Sequence, residues 1–202
     1  NQGKKLVGDS LFYDRIIGYG EAFDNVKMTD SINKNMLTGD YCFYNELTDS
    51  AFATKRAVAI DYSQGDSLYM HGDTLQMVSY NLNTDSLYRL MKAYHKVRMY
   101  RTDVQGVCDS LVYNSKDFCM TMYTDPILWN DGQQLLGEQI KIYMNDSTID
   151  WAHIINQALT VEMKDSIHYN QVSGKEMKAY FVNGDMRHIE AVSYTHLTLP
   201  TK

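Results

Sequence analysis

The chain has 202 residues, with 16 Tyr and 6 Phe but only two Pro, and a formal net charge of −6. An acidic chain with a pI near 5.4 presents no basic face to phosphate backbones, which argues against nucleic-acid binding. No apolar run reaches the roughly 18 residues a membrane-spanning helix needs, and many aromatic residues with few prolines favour paired strands.

The chain begins at Asn1 without a charged and apolar leader, so the start reads as a processed or truncated end and the whole as a fragment of a longer chain. From there one phrase recurs: Asp-Ser at 9–10, 30–31, 49–50, 66–67, 85–86, 109–110, 146–147 and 165–166. Its serines step by 21, 19, 17, 19, 24, 37 and 19 residues, and the 37-residue step holds Asp125-Pro126 where a further phrase would fall. Counting that step as two gives a period of about 19.5 residues, which marks a repeat architecture. Clusters of Asn, Asp and Gly at 33–40, 44–50, 80–86 and 182–185 separate the phrases, so each repeat reads as two short strands with a turn at each end. Asp-Ser is then strand-starting hydrogen-bond chemistry. Eight equivalent serines are not nucleophiles, and none sits in a G-x-S-x-G elbow.

Two stretches carry helical spacing as well. Residues 85–100 place Leu87, Leu90, Met91 and Tyr94 three or four apart, and residues 151–163 do the same with Trp151, Ile154, Ile155, Ala158 and Leu159. Alternation fits them equally well, through Leu87, Met91, Ala93, Val97 and Met99, and their phase in the repeat makes them strands. Further on, Val107, Leu111 and Tyr113 share a face with Asp109, and Leu136, Ile140, Ile142 and Met144 alternate with polar neighbours. Cys42, Cys108 and Cys119 lack C-x-x-C spacing and read as packed thiols, although Cys108 and Cys119 are placed to meet across neighbouring strands. The histidines at 71, 95, 153, 168 and 188 have no metal-ligand spacing, so neither a metal nor a cofactor is expected, and no enzymatic motif appears. At the end, residues 193–202 (SYTHLTLPTK) carry no Asp-Ser phrase and resemble translated adapter sequence. Residues 1–192 are therefore read as one domain and 193–202 as a non-native tail.

The repeated phrases, above all "LYMHGDTL" at 68–75, "VQGVCDSLVYN" at 104–114 and "LLGEQIKIYMND" at 135–146, resemble the OstA-like, LptA-type family of periplasmic lipopolysaccharide-transport proteins. The resemblance covers about Leu6 to Ala191. It implies an all-β, elongated, repeat-built jellyroll folded like a taco, with lipid A acyl chains shielded in an apolar groove on the way to the outer membrane. It implies further a periplasmic location, at or near the outer membrane, no cofactor, and partners that are lipopolysaccharide and other jellyroll components or copies of the same chain joined strand edge to strand edge. Nine repeats at about 4.8 Å per strand give a groove of roughly 40 Å. The groove-facing candidates, in phase with the Asp of each phrase, are Leu11, Tyr13, Leu68, Met70, Leu75, Met77, Leu111, Tyr113, Ile140, Ile142, Ile167 and Tyr169. The alternative is a structural β-solenoid or adhesin-like protein with a closed core that meets partners only by its edges.

Overall fold

Alternating apolar and polar runs bounded by turn-forming residues become antiparallel strands, and the computed structural model describes residues 3–63, 65–145, 148–192 and 196–198. In chain order the strands are β1 (Lys4–Val7), β2 (Ser10–Asp14), β3 (Tyr19–Asp30), β4 (Asn35–Asn45), β5 (Ser50–Asp61), β6 (Leu68–Tyr80), β7 (Tyr88–Tyr100), β8 (Val104–Asn114), β9 (Cys119–Tyr123), β10 (Ile127–Asn130), β11 (Gln133–Leu136), β12 (Gln139–Asn145), β13 (Thr148–Met163), β14 (Tyr169–Val182), β15 (Asp185–Val192) and β16 (His196–Thr198). Both stretches with helical spacing are strands, β7 and β13. The turns are built by Asx side chains: Asp14, Asp30, Asn45 and Asp165 each accept two backbone N–H bonds from the residues two and three further on.

All sixteen strands join one sheet, and each long strand pairs with its sequence neighbours. Midway along the pairings from β3 through β8, and of β13 with β14, the register slips, and the slips fall in line. Asp24 and Asn25 of β3 lie opposite one residue, Asp40 of β4. Lys55 and Arg56 of β5 lie opposite Asp73 of β6, His95 and Lys96 of β7 opposite Asp109 of β8, and Asn156 and Gln157 of β13 opposite Lys175 of β14. Two residues facing one is a β-bulge, which bends its strand. Every residue of those four pairs has φ between 48° and 59°, the left-handed region. Such backbone costs about 1–2 kcal/mol per non-glycine residue and is least unfavourable for Asn and Asp.

The same corner recurs where the strands are interrupted. Gly8 and Asp9 separate β1 from β2, and the Asp9 N–H donates to the carbonyls of both Phe23 and Asp24, at 3.1 and 3.0 Å. Gly137 and Glu138 separate β11 from β12, and the Glu138 N–H donates likewise to Ile155 and Asn156, at 3.2 Å each. Thr124 and Asp125, both left-handed, separate β9 from β10. The bulges therefore form a straight crease, and the sheet folds lengthwise along it into two facing halves. Burial demands this: Leu111, Ile140 and Ile154 are 0% exposed, and a single uncovered sheet cannot fully bury a side chain.

The fold is thus an elongated taco-like jellyroll in which the strands follow in sequence order. Eleven bent strands stack in chain order, and β15 and β16 pair with the two halves of β14 as a twelfth layer. This corrects the repeat. The crease positions Gly8, Gly39, Gly72, Cys108, Gly137 and Gly174 step by 31, 33, 36, 29 and 37 residues, two strands each, so a strand with its turn takes fewer than 19 residues. The Asp-Ser phrases occupy two different places: Asp30, Asp49, Asp66, Asp85 and Asp165 lie at strand ends or turns, whereas Asp9 and Asp109 lie at the crease. Asp146-Ser147 lies outside the described residues. So do residues 193–195 and 199–202 of the expected tail, while 196–198 pair with Gln171–Ser173 of β14.

Candidate functional site

The inner face of the crease is the candidate site. Along β3, β5, β7 and β13 its residues alternate until the bulge and then jump by four, from Ala22 to Val26, Ala53 to Ala57, Ala93 to Val97 and Ile154 to Ala158, all buried. The facing strands jump by three, from Gly39 to Cys42, Gly72 to Leu75, Cys108 to Leu111 and Gly174 to Met177. Small residues line the fold because the two halves converge there. A Cβ on Gly39 would lie 2.9 Å from the Thr54 carbonyl oxygen.

Methionine fills the space between the halves. Met28, Met70, Met77, Met91 and Met99 lie on the inner face, as do Met120, Met122, Met144, Met177 and Met186; these are ten of the twelve methionines in the chain. Met70 pairs with Met99, and Met77 with Met91. A Cβ on Gly106 would meet the Cε atoms of both Met99 and Met122, at 3.0 and 3.1 Å, although those two methionines stand on opposite halves. The interior is therefore packed side chain to side chain, by the most adaptable apolar residue.

Most of the sequence-derived candidates lie on this face. Met70, Leu75, Leu111, Ile140 and Ile142 are buried in its core, and Leu68, Met77 and Tyr113 are half-buried nearer the strand ends. Leu11 and Tyr13 pair with Ala22 and Gly20 on the inner side but are 53% and 51% exposed, because β2 ends the stack and nothing covers it. Two candidates fall elsewhere. Ile167 is 77% exposed in a turn whose backbone is held by Asp165, and Tyr169 pairs with Met163 on the outer side, opposite in phase to buried Thr160 and half-buried Val172. The phase jump also moves Val107 and Leu136 to the outer side, where Gly106, Cys108 and Leu135 are their inward neighbours.

Sequence reasoning missed the polar cluster at the rim. Lys4, on the half that carries β1, reaches across to the other half, where its Nζ donates to Asp49 at 2.8 Å and to the Tyr44 hydroxyl at 2.7 Å. Asp49 also accepts from Ser79 Oγ at 2.8 Å and from Arg89 Nη2 at 2.9 Å. Burial alone would raise the Asp49 carboxyl, but bonds from Lys4, Arg89 and Ser79 outweigh it and hold the group far below the usual carboxylate range. Burial likewise opposes the charge of Lys4, and the bonds to Asp49 and Tyr44 raise its pKa despite that. A second tie spans the halves farther along, where Asn130 of β10 donates to the Gly184 carbonyl at 2.6 Å.

The cysteines do not pair. Cys108 faces inward, Cys119 lies opposite Asn114 and Tyr143 on the outer side, and all three thiols are free and buried. Burial pushes Cys42 up to about 12 and Cys108 to about 11, so neither is a thiolate at neutral pH. Among the described residues no group of three or more His, Cys, Asp or Glu side chains is placed to hold a metal ion.

Fold and inner face together define an elongated folded-meander β protein with an apolar crease along its length and an unpaired strand edge at β1 and β2. One solved structure similar to the chain is that of LptH from Pseudomonas aeruginosa, described as the LptA-homologous periplasmic component of the lipopolysaccharide transport device. It shares 14% identity and a TM-score of 0.48 over 60% of this chain and 82% of that one. No family model matches the chain, and no curated protein does.

Proposed function

We propose that this protein is a periplasmic lipid-carrying module of the lipopolysaccharide-transport type, which shields acyl chains on the inner face of its crease during passage towards the outer membrane and performs no chemistry itself. The observation that carries this reading is the inner face, apolar along the crease from β2 to β15 and holding ten of the twelve methionines. Twelve layers at about 4.8 Å make a path of roughly 50 Å, longer than a twelve-carbon chain. Such a chain would cost on the order of 10 kcal/mol to carry bare through water. A lining of similar residues throughout gives similar affinity at each point, so the lipid slides instead of being trapped.

Loading requires the halves to part. Their ladder hydrogen bonds run within each half and along the crease, so widening the mouth breaks no ladder, and methionine repacks around an inserted chain. Photoreactive residues placed at Leu75, Leu111 and Ile140 are expected to give lipopolysaccharide adducts in cells, with none at outward Lys141. Adducts at Lys141 alone would refute the groove.

One observation favours the closed-core alternative: the inner residues around Leu111 and Ile140 are fully buried and well packed. On that reading none of the four positions yields lipid adducts, and partners crosslink only at β1, β2 or β15.

A further inference from the structure

We infer that the rim cluster of Lys4 and Arg89 is a binding site for the anionic headgroup of an amphiphile whose tail lies on the inner face, with Asp49 occupying the headgroup's place when the site is empty. The inference rests on the lipid-carrier reading and adds the headgroup chemistry.

Two cations share one carboxylate. Lys4 Nζ donates to Asp49 and to Tyr44, and Arg89 donates to Asp49 through Nη2 at 2.9 Å and Nε at 3.2 Å and to Ser79 Oγ at 3.2 Å. The other acid near Lys4, Asp30, is engaged by its own turn, accepting from the backbone of Ile32 and Asn33 and from the Asn33 side chain. Asp49 itself is shielded, its side chain 11% exposed, whereas those of Lys4 and Arg89 are 33% and 38% exposed. The cations therefore meet solvent at the mouth while their counter-ion lies beneath them. Arg89 keeps Nη1 without a partner among the described residues, and Lys4 has a third proton to donate.

What lies below is apolar. Two residues inward from Ser79 and Arg89 on the same strands stand Met77 and Met91, paired with each other. A head held by Lys4 and Arg89 thus directs its tail onto the methionine lining. An incoming phosphate or carboxylate takes over the donors that now serve Asp49, and because Lys4 alone of the cluster comes from the opposite half, the bound head bridges the two halves where Asp49 bridges them now. Arg offers such heads a fork of donors and Lys a point charge.

The test is binding to dodecyl phosphate, laurate and uncharged dodecyl maltoside, followed by calorimetry with the whole chain. The wild type is expected to bind both anions roughly tenfold more tightly than the maltoside. Arg89→Gln is expected to erase most of that preference and leave maltoside binding unchanged, while Lys4→Arg retains it. Asp49→Asn, which keeps the shape and removes the competing charge, is expected to tighten the anions severalfold. Equal binding of all three amphiphiles by the wild type, or a parallel loss for all three in Arg89→Gln, overturns the headgroup site and leaves the groove standing. Failure of the wild type to bind any of them overturns both.

Discussion

At the scale of single residues, Asp49 carries the largest electrostatic consequence. Its folded pKa lies below the unfolded value of about 3.9, so the stability it contributes is fully present above that value and is lost as pH falls through the depressed folded pKa. Lys4 has the opposite sign: its raised pKa contributes stability below the unfolded value of about 10.4, lost as pH rises through the folded one. Removing the carboxylate leaves two cations together, but both are a third exposed and partly screened. Asp49→Ala is therefore expected to cost about 2 kcal/mol at pH 7 rather than the larger figure for a fully buried pair. Urea denaturation at pH 7 and again near pH 3 checks this. The gap between wild type and variant should narrow in acid, and a gap independent of pH would mean that packing, not charge, is lost. None of this was legible in the sequence, because Lys4, Asp49 and Arg89 stand about 40 residues apart and meet only when the sheet folds over.

At the scale of elements, the crease decides the fold. Gly39 lies where the neighbouring backbone passes too close for a side chain, whereas a Cβ on Gly65 would meet nothing within 4 Å. Gly39→Ala is expected to destabilise by about 1–3 kcal/mol through displaced backbone, while Gly65→Ala stays within about 0.5 kcal/mol of the wild type. Thermal melts of the two variants compare them directly, and equal melting temperatures would mean that the crease has room to relax. Strand identity was readable from alternation, but the crease appears in sequence only as a break in it. The jump of four from Ile154 to Ala158 is what gave β13 its helical spacing, whereas in β7 it came from outer-side Leu90 and Tyr94 falling three or four residues from Leu87 and inward Met91. The apparent period of the Asp-Ser phrases arose because one dipeptide serves both turns and corners. Candidates counted in phase within one half of a strand, such as Leu75 and Met77, lie on the inner face, whereas Ile167, counted across a turn, lies off it.

At the scale of the whole molecule, the two ends of the stack differ. The edge strand β2 offers Leu11, Phe12 and Tyr13 in succession, each about half exposed, with Val7 of β1 beside them. The opposite edge strand, β15, carries Asp185, Arg187, His188 and Glu190. Open strand edges are usually protected by charge; β15 is so protected and β1 carries Lys4 and Lys5, whereas residues 10–13 of β2 carry no charge. On the carrier reading this apolar edge is where a partner strand would add, and such a strand would continue both the ladder and the inner face, since Leu11 and Tyr13 point inward and Phe12 outward. The carrier reading thus acquires a mechanical requirement: the path stays dry across a junction only if a partner strand covers Leu11 and Tyr13. Phe12→Lys puts a charge on the outer side of that edge without touching the lining. It is expected to weaken pairing at β2 at least tenfold, since a lysine on an edge strand discourages strand addition and the apolar contact of Phe12 with the added strand is lost, and to leave the melting temperature within a few degrees. Sedimentation of the wild type and variant over a range of concentrations reads the self-association, and crosslinking to partner jellyrolls in cells reads the heterologous joint. Loss of both in Phe12→Lys assigns the edge, and association unaffected by the charge would place the joint elsewhere on the molecule.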